Sequence, residues 1–438
     1  MDVENTQKNL NRPRGIYYGW LIVATSFFIS FLTVGTRNGF GVFVIPMSKD
    51  FGWDRGAISL PASIGFYVAG ICQPFAGRLF DRIGGRKLML IGLLGIALST
   101  LSLSFTFNIF FMIIMFGVVG AIASSGGSLN IAVALTSKWF RKHRSTAIGI
   151  IAAGPPMGAM ILIPLSQQLI DLFGWKSTWM VLGLLILLLA IPLTYLIIRE
   201  KPEDLGLMQD GKENNNLVEK ATSASPKDAP LATHDWKQAL KSPLLWQLSG
   251  AYFVCGFTTG IISTHFVPYA IEKGYSPSLA ATVFGVMSGL NVIGVLTAGK
   301  LGDRFQRKNL LAIIYALRGV GYALLLISPG LVGLWGFAIL AGFSWIATVP
   351  PTTALTADVY GLKNIGILSG VIFMLHQFGG GLSIQMAGEL RDLTGSYDVP
   401  FLIAAVLLAI ASVVSFSIRE KKYSSRYLID SKPILQTG

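Results

Sequence analysis

Apolar residues run through the chain in twelve long stretches, at approximately 17–45, 56–77, 88–106, 108–136, 145–166, 175–198, 243–271, 278–299, 309–328, 331–355, 365–388 and 398–418. A helix of about 20 mainly apolar residues crosses the hydrocarbon core of a bilayer, so each stretch predicts one membrane-spanning helix. Six precede and six follow a polar segment, 199–241, that contains Asn214-Asn215-Asn216 and Ser223-Ala224-Ser225-Pro226. That segment has too few apolar residues to offset its ordering entropy and is expected to be a mostly disordered linker. The pattern divides the chain into an N-terminal arm (1–16), a six-helix bundle (17–198), the linker (199–241), a second six-helix bundle (242–418) and a tail (419–438).

The two halves repeat at an offset of 222 residues. Gly77-Arg78-Leu79-Phe80-Asp81-Arg82 returns as Gly299-Lys300-Leu301-Gly302-Asp303-Arg304, each as a basic turn between two apolar stretches. The same shift lays Pro46 on Pro268, Gly52 on Gly274, Arg86 on Lys308 and Gly158 on Gly380. Two halves of one topology imply an all-α membrane protein of twelve transmembrane helices in two six-helix bundles, related by a pseudo-twofold axis along the membrane normal. A cavity on that axis can open to either side as the halves rock, which is the architecture of a carrier.

Composition agrees. Hydrophobic residues make up 52% of the chain, charged residues 13%, and the mean hydropathy is +0.60, whereas a soluble domain carries roughly 25% charged residues. The two cysteines, Cys72 and Cys255, fall inside apolar stretches, which supports neither a disulfide framework nor a zinc site and reads as two small buried residues. The arm from Met1 to Arg14 is polar and does not resemble a cleaved signal peptide, so the first helix is expected to serve as the insertion signal.

Lys and Arg set the orientation. With the N-terminus on the cytoplasmic side, that side carries 28 of them and the other side 5, namely Lys49, Arg55, Lys176, Lys273 and Arg391. Both termini are therefore expected in the cytoplasm, with the protein a monomer in the cell membrane. The net charge of +13 is then positive-inside bias with contact to anionic lipid, and no nucleic-acid partner is implied.

The segment Gly77-Arg78-Leu79-Phe80-Asp81-Arg82-Ile83-Gly84-Gly85-Arg86-Lys87 resembles the signature loop of the major facilitator superfamily, and the copy at Gly299 to Lys308 resembles its degenerate second version. The resemblance implies a conformational latch formed by Gly77, Asp81, Arg82, Gly299, Asp303 and Arg304, with Asp81 holding the outward-facing state. Physically, an Asp at a helix end can accept from the N-terminal N–H groups of a neighbouring helix. A narrower resemblance, to the monocarboxylate transporter and oxalate:formate antiporter branch, rests on Tyr17-Tyr18-Gly19-Trp20, Trp139-Phe140-Arg141-Lys142-His143-Arg144, Ala147-Ile148-Gly149, Gly154-Pro155-Pro156-Met157-Gly158 and Phe173-Gly174-Trp175. It implies a small organic anion as cargo. Monocarboxylate transporters usually carry an Arg in the eighth helix, and 278–298 has no charged residue.

A charge near the bilayer midplane costs about 2.5 to 3.5 kcal/mol even on the lenient insertion scale, so each one present needs a reason. Arg37 lies on the outer half of the first helix among Gly35, Gly39 and Gly41, where thin backbone lets a ligand approach. The monocarboxylate branch places a Lys at about this position; the alternative is snorkelling to the outer interface. Arg318 sits near the centre of the ninth helix, either reaching the cavity as a second anion-holding group or tied to backbone carbonyls of a neighbouring helix. His376 and Gln377 lie midway along the eleventh helix, where a His can hold an anion, carry a proton or serve a structural bond. Tyr67, Tyr252 and Asn291 are neutral polar groups at a depth suited to orienting a ligand, and His265 reads as interfacial.

No carboxylate is placed at depth, whereas a cation carrier needs one; a buried Arg without a carboxylate calls for an anion. The expectation is a secondary carrier of a mono- or dicarboxylate by alternating access, with proton coupling or exchange. A transporter-like ligand sensor and a carrier of a non-anionic solute are the alternatives. No nucleophile and base pair, metal-ligand cluster or nucleotide-binding loop points to an enzyme, a cofactor or a primary pump.

Overall fold

The computed structural model describes residues 17–127, 129–140, 144–209, 231, 236–328, 330–361 and 365–425. The membrane spans are α1 (Tyr18–Asn38, continued as Phe40–Phe51), α2 (Arg55–Ile83), α3 (Gly85–Ser102), α4 (109–137), α5 (144–173) and α6 (175–197) in the first half. The second half holds α7 (Pro243–Glu272), α8 (Pro277–Arg304), α9 (Arg307–Ile327), α10 (Gly330–Ser344, continued as Val349–Tyr360), α11 (Ile365–Thr394) and α12 (Asp398–Ser417). The run Thr146–Ile197 is helical over 52 residues, roughly 80 Å at 1.5 Å per residue, far more than a bilayer core of about 30 Å. Gly174, at φ 77 and ψ 167, divides it into α5 and α6. Twelve spans result, as the apolar pattern predicts.

The shift of 222 residues extends to backbone detail. Gly52 and Gly274 both take positive φ, 67 and 92, where the first span of each half ends. Two residues on, Asp54 accepts from Ala57 N at 2.6 Å and Ser276 from Leu279 N at 3.2 Å, capping the second span of each half in the same way. Pro46 and Pro268 both lie within helices.

The basic motifs differ from expectation. They are not turns: Gly77 to Arg82 belongs to α2 and Gly299 to Arg304 to α8, and the chain reverses only at Gly84 and at Phe305-Gln306. The helices that follow are capped from a distance. Glu200, just after α6, accepts from Arg86 N at 3.1 Å and pairs with Lys138. Glu420, just after α12, accepts from Arg307 N at 3.1 Å and Lys308 N at 2.8 Å. A carboxylate at a helix N-terminus meets both unpaired N–H groups and a favourable dipole. Of the expected linker, 199–209 is thus ordered, Trp236–Ala239 is helical with a turn at 240–241, and Leu231 N bonds Val359 O at 3.1 Å; the remainder lies outside the described residues.

Within each bundle, helices meet backbone to backbone. A Cβ on Gly158 would lie 2.0 Å from Phe31 O, fixing α5 against α1, and one on Gly256 would lie 1.8 Å from His376 O, fixing α7 against α11. Between the bundles the pairs are α2 with α11, α5 with α8, and α1 with α7.

These pairs close only on the face opposite the chain ends. There Gly41 lies against Ser263 O and Thr264 O, Gly285 against Met160 O, and Ser63 Oγ donates to Gly381 O at 2.7 Å. Toward the face that carries the chain ends, Gly77 of α2, Gly149 of α5, Gly299 of α8 and Gly370 of α11 have, among the described residues, no atom of another element within 4 Å of an added Cβ. The bundles therefore splay apart on the terminal face and meet on the far face.

Candidate functional site

The far-face seal is polar at its rim. Asp392, at the end of α11, accepts from Arg55 N at 3.1 Å and Gly56 N at 2.6 Å, capping α2 of the other bundle. Glu272 of α7 pairs with Arg55 at 3.4 Å and with Arg391 at 3.1 Å. Beneath this rim His265 is fully buried, bonded to Ile384 O at 2.8 Å and Tyr397 Oη at 3.2 Å, with Ser59 Oγ at 3.4 Å. The interfacial placement expected for His265 is thus corrected, because the outer third of α7 is enclosed by α2, α11 and α12.

Arg37 lies on the terminal side of the seal, in the last turn of the first segment of α1, just before the break at Gly39. Its Cζ is 5.9 Å from the Phe66 ring centroid, and Nη2 is 3.1 Å from a Cβ placed on Gly65. Phe66 in turn packs on Gly380 of α11. Among the described residues Arg37 has neither a hydrogen bond nor an ion pair with a protein acceptor, and it is only partly buried.

One turn before Gly380 stands His376, also partly buried, with Nδ1 3.2 Å from Gln377 Oε1, its ring stacked on Phe373 and 4.8 Å from the ring of Tyr252. Gln377 packs on Gly70 of α2. Arg37, Phe66, Gln377, His376 and Tyr252 therefore line a continuous strip from one bundle to the other, at the closed end of the space that opens to the terminal face.

The other proposed ligand-binding residues stand elsewhere. Tyr67 lies against Gly381 and lines a groove between α2 and α11 with Ser63, Gln385 and Glu389. Exposed Leu382 and Leu393 share that groove, which opens on the surface between the two helices. Asn291 is buried and donates to Gly342 O at 3.0 Å, tying α8 to α10 inside the second bundle. Neither residue joins the strip of Arg37 and His376; helix rotation turns them elsewhere, and neutral polar residues in an all-apolar helix do not reveal rotation.

Arg318 is likewise 0% exposed and points into its own bundle. It donates to Thr258 Oγ1 at 2.9 Å and to the carbonyls of Ser344 and Trp345. Those carbonyls are free because α10 unwinds at 345–348: Val349 N turns back to Ile346 O at 3.0 Å, and Pro350 has no N–H to offer. Unpaired carbonyls at membrane depth need a protein donor, and Arg318 supplies it. The signal overlooked in the sequence is the Pro350-Pro351 pair after Trp345, which predicts the break and hence the need for a donor.

Gly77 and Gly299 stand apart on the splayed face, and Arg82 and Arg304 are exposed there. The side chains of Asp81 and Asp303 lie outside the described residues. No cluster of His, Cys, Asp or Glu fit for a metal occurs among the described residues.

Two splayed six-helix bundles with a cation facing the space between them define the class of membrane carriers. The Major Facilitator Superfamily matches residues 26–384, and the chain belongs to that family. It is 29% identical over 403 residues to an uncharacterised MFS-type transporter, YcxA, of Bacillus subtilis (strain 168), covering 90% of this chain and 94% of that protein. It is 26% identical over 442 residues to human monocarboxylate transporter 12 (93% and 83% covered), and 26% over 401 residues to rat monocarboxylate transporter 13 (91% and 88%). A solved bacterial homologue of the human lysosomal transporter Spinster, inward-facing and unoccupied, superposes with a TM-score of 0.71 at 17% identity, covering 96% of this chain and all of that one.

Proposed function

We propose that this protein is a secondary active carrier of a small organic anion, a mono- or dicarboxylate, that works by alternating access in the cell membrane with both termini in the cytoplasm. The observation that carries this reading is Arg37: a guanidinium between the bundles with no acceptor of its own among the described residues. Its planar fork is matched to a carboxylate by paired hydrogen bonds. His376, Gln377 and Tyr252 of the other bundle face the same space and would hold the far end of the ligand, by hydrogen bonds to a second carboxylate, hydroxyl or carbonyl. The excess of Lys and Arg in the loops of the terminal face supports the orientation, which makes the conformation inward-facing. The monocarboxylate transporter names of two relatives support the cargo class. Asp81 and Asp303, with Gly77, Arg82, Gly299 and Arg304, would hold the bundles together when the terminal face closes.

The test is counterflow into proteoliposomes with labelled lactate, pyruvate, formate, oxalate and a longer dicarboxylate. Saturable uptake of at least one acid is expected. Uptake of an amine or a neutral sugar, with no response to any acid, would overturn the reading.

A further inference from the structure

Glu200 and Glu420 cap α3 and α9 alike, and the groups around them match in part. Arg86 Nη2 donates to Tyr195 O at 2.6 Å, with its Cζ 5.3 Å from the Tyr195 ring centroid. Lys308, its counterpart under the shift of 222 residues, donates from Nζ to Phe416 O at 3.0 Å and lies 4.9 Å from the Phe416 ring centroid. The charges beyond that point differ. In the first half Lys138 pairs with Glu200, and the chain runs on through Lys201, Glu203 and Asp204, so cations meet acids. In the second half both Glu420 oxygens accept from N–H groups of α9, and the chain runs on through Lys421 and Lys422 with no acid up to residue 425.

A groove of about 430 Å³ lies there, between the start of α9, the end of α12 and the tail, lined by Gln306, Lys308, Arg419, Glu420, Lys421 and Lys422. Cavities of this size commonly hold small ligands. Four cations against the one buried acid leave an excess of three. Arg419, Lys421 and Lys422 are exposed and, among the described residues, have no hydrogen bond or ion pair from the side chain to a protein acceptor. The turn that carries them is fixed at both ends. Glu420 holds it to α9, and buried Ser424 holds it to α10 through Oγ on Asp358 Oδ2 at 3.3 Å. Cations held in place lose little further freedom when they meet a ligand. Apolar surface adjoins them: Phe416 and Val413, three residues apart on α12 and both exposed, flank Ser412, which donates to Ala312 O of α9 at 2.8 Å.

We propose that this groove binds a glycerophospholipid of net negative headgroup from the leaflet at the terminal face. The phosphodiester sits among Arg419, Lys421 and Lys422 in charge-assisted hydrogen bonds, with the Arg fork matched to its oxygens. Lys308 keeps two N–H donors beyond the one on Phe416 O. The acyl chains lie over Phe416 and Val413. A zwitterionic headgroup brings an ammonium of its own, which the excess of cations repels. The matching place in the first bundle carries Glu203 and Asp204 and has no such preference. All the groups involved belong to the second bundle, so the lipid moves with that bundle as the halves rock.

Native mass spectrometry of the full chain in a non-ionic detergent, titrated with phosphatidylglycerol or phosphatidylcholine of the same acyl chains, reads the number of lipids bound. The parent protein is expected to take its first phosphatidylglycerol at lower concentration than phosphatidylcholine. Arg419→Gln, Lys421→Gln and Lys422→Gln together should weaken that first binding by on the order of tenfold or more. Lys87→Gln, Arg199→Gln and Lys201→Gln together remove the same charge from the first bundle's terminal face and should leave it intact. Equal weakening by the two triple variants would mean diffuse attraction to a basic face and would overturn the site, as would no preference in the parent protein. Displacement of the lipid by inorganic phosphate at constant ionic strength would assign the groove to a soluble anion and overturn the lipid as occupant. If the tail triple variant does not fold, Lys421→Gln alone decides, with a smaller weakening of the same first binding expected and an unchanged one against the proposal. No transport is measured, so the outcome is independent of the cargo.

Discussion

Asp392 caps the N-terminus of α2 from across the bundle interface, with its carboxylate on Arg55 N and Gly56 N. Closure of the far face thus rests on a helix terminus and an acid from opposite halves, the same physical device that the resemblance assigns to Asp81 on the terminal face. Asp392→Asn keeps the shape but loses the charge, and a charge-assisted bond is worth about 1.5 to 3 kcal/mol. The variant should shift the population toward forms open on the far face. Spin labels at Lys49 and Leu393, exposed on opposite bundles, should report longer distances; an unchanged distribution in lipid would remove the gate role.

On the terminal face, Asp81→Asn should act in the opposite sense and favour the splayed form, with Asp303→Asn weaker. Labels at the terminal ends of α4 and α10 would measure it. Gly149 and Gly370 have room for a Cβ in the splayed form, so Gly149→Leu and Gly370→Leu should fold normally and yet resist closure. Gly158→Ala meets the Phe31 carbonyl directly and should lower thermal stability outright.

Arg37 and Arg318 should separate cleanly. Arg37→Lys is expected to weaken anion binding and keep some transport, and Arg37→Gln to remove nearly all of it, with folding intact. Arg318→Gln removes the donor for two carbonyls and should cost on the order of 1–3 kcal/mol of stability for each, seen as a lower unfolding temperature. Equal, purely kinetic loss in both Gln variants at unchanged stability would place Arg318 on the transport path.

His376 stands in the strip between Gln377 and Tyr252. If it carries the coupled proton, His376→Gln should abolish acceleration by an inward proton gradient while anion exchange persists. Loss of both activities together would mark it as a ligand-holding or structural residue.

Acid should loosen the first bundle through Glu200. Burial by itself would raise the Glu200 pKa, but the hydrogen bond and charge of Lys138 and the N–H groups of Arg86 and Gly85 outweigh it, so the carboxyl sits below its usual value. A depressed folded-state pKa gives stability that is present above the unfolded value, about 4.3, and is lost as pH falls through the folded one. Thermal unfolding should therefore show a steeper acid loss in the parent protein than in Glu200→Gln.

The spans and the repeat were legible because hydropathy acts on whole helices: a bilayer enforces length and apolar content regardless of neighbours. Arg37 stood out in the sequence because a charge at depth is costly enough to need a purpose. What the sequence hid is rotation and tertiary reach. Asn291, His265 and Tyr67 lie on helices apolar all round, where no moment tells one face from another. The caps from Asp392, Glu200 and Glu420 join residues more than 100 positions apart, and no local pattern encodes such pairs.

With the proposed anion as cargo, an Arg37 that has no partner among the described residues also ranks the limbs of a transport cycle. When the bundles pass through a form closed on both faces, an empty protein must enclose a lone guanidinium, whereas a loaded one encloses a neutral pair with its anion. The barrier to reorientation is then higher for the empty protein, and return without cargo becomes the slow limb. Labelled acid should therefore cross faster when unlabelled acid waits on the opposite side, a trans-acceleration that Arg37→Gln, having no charge to enclose, should not show.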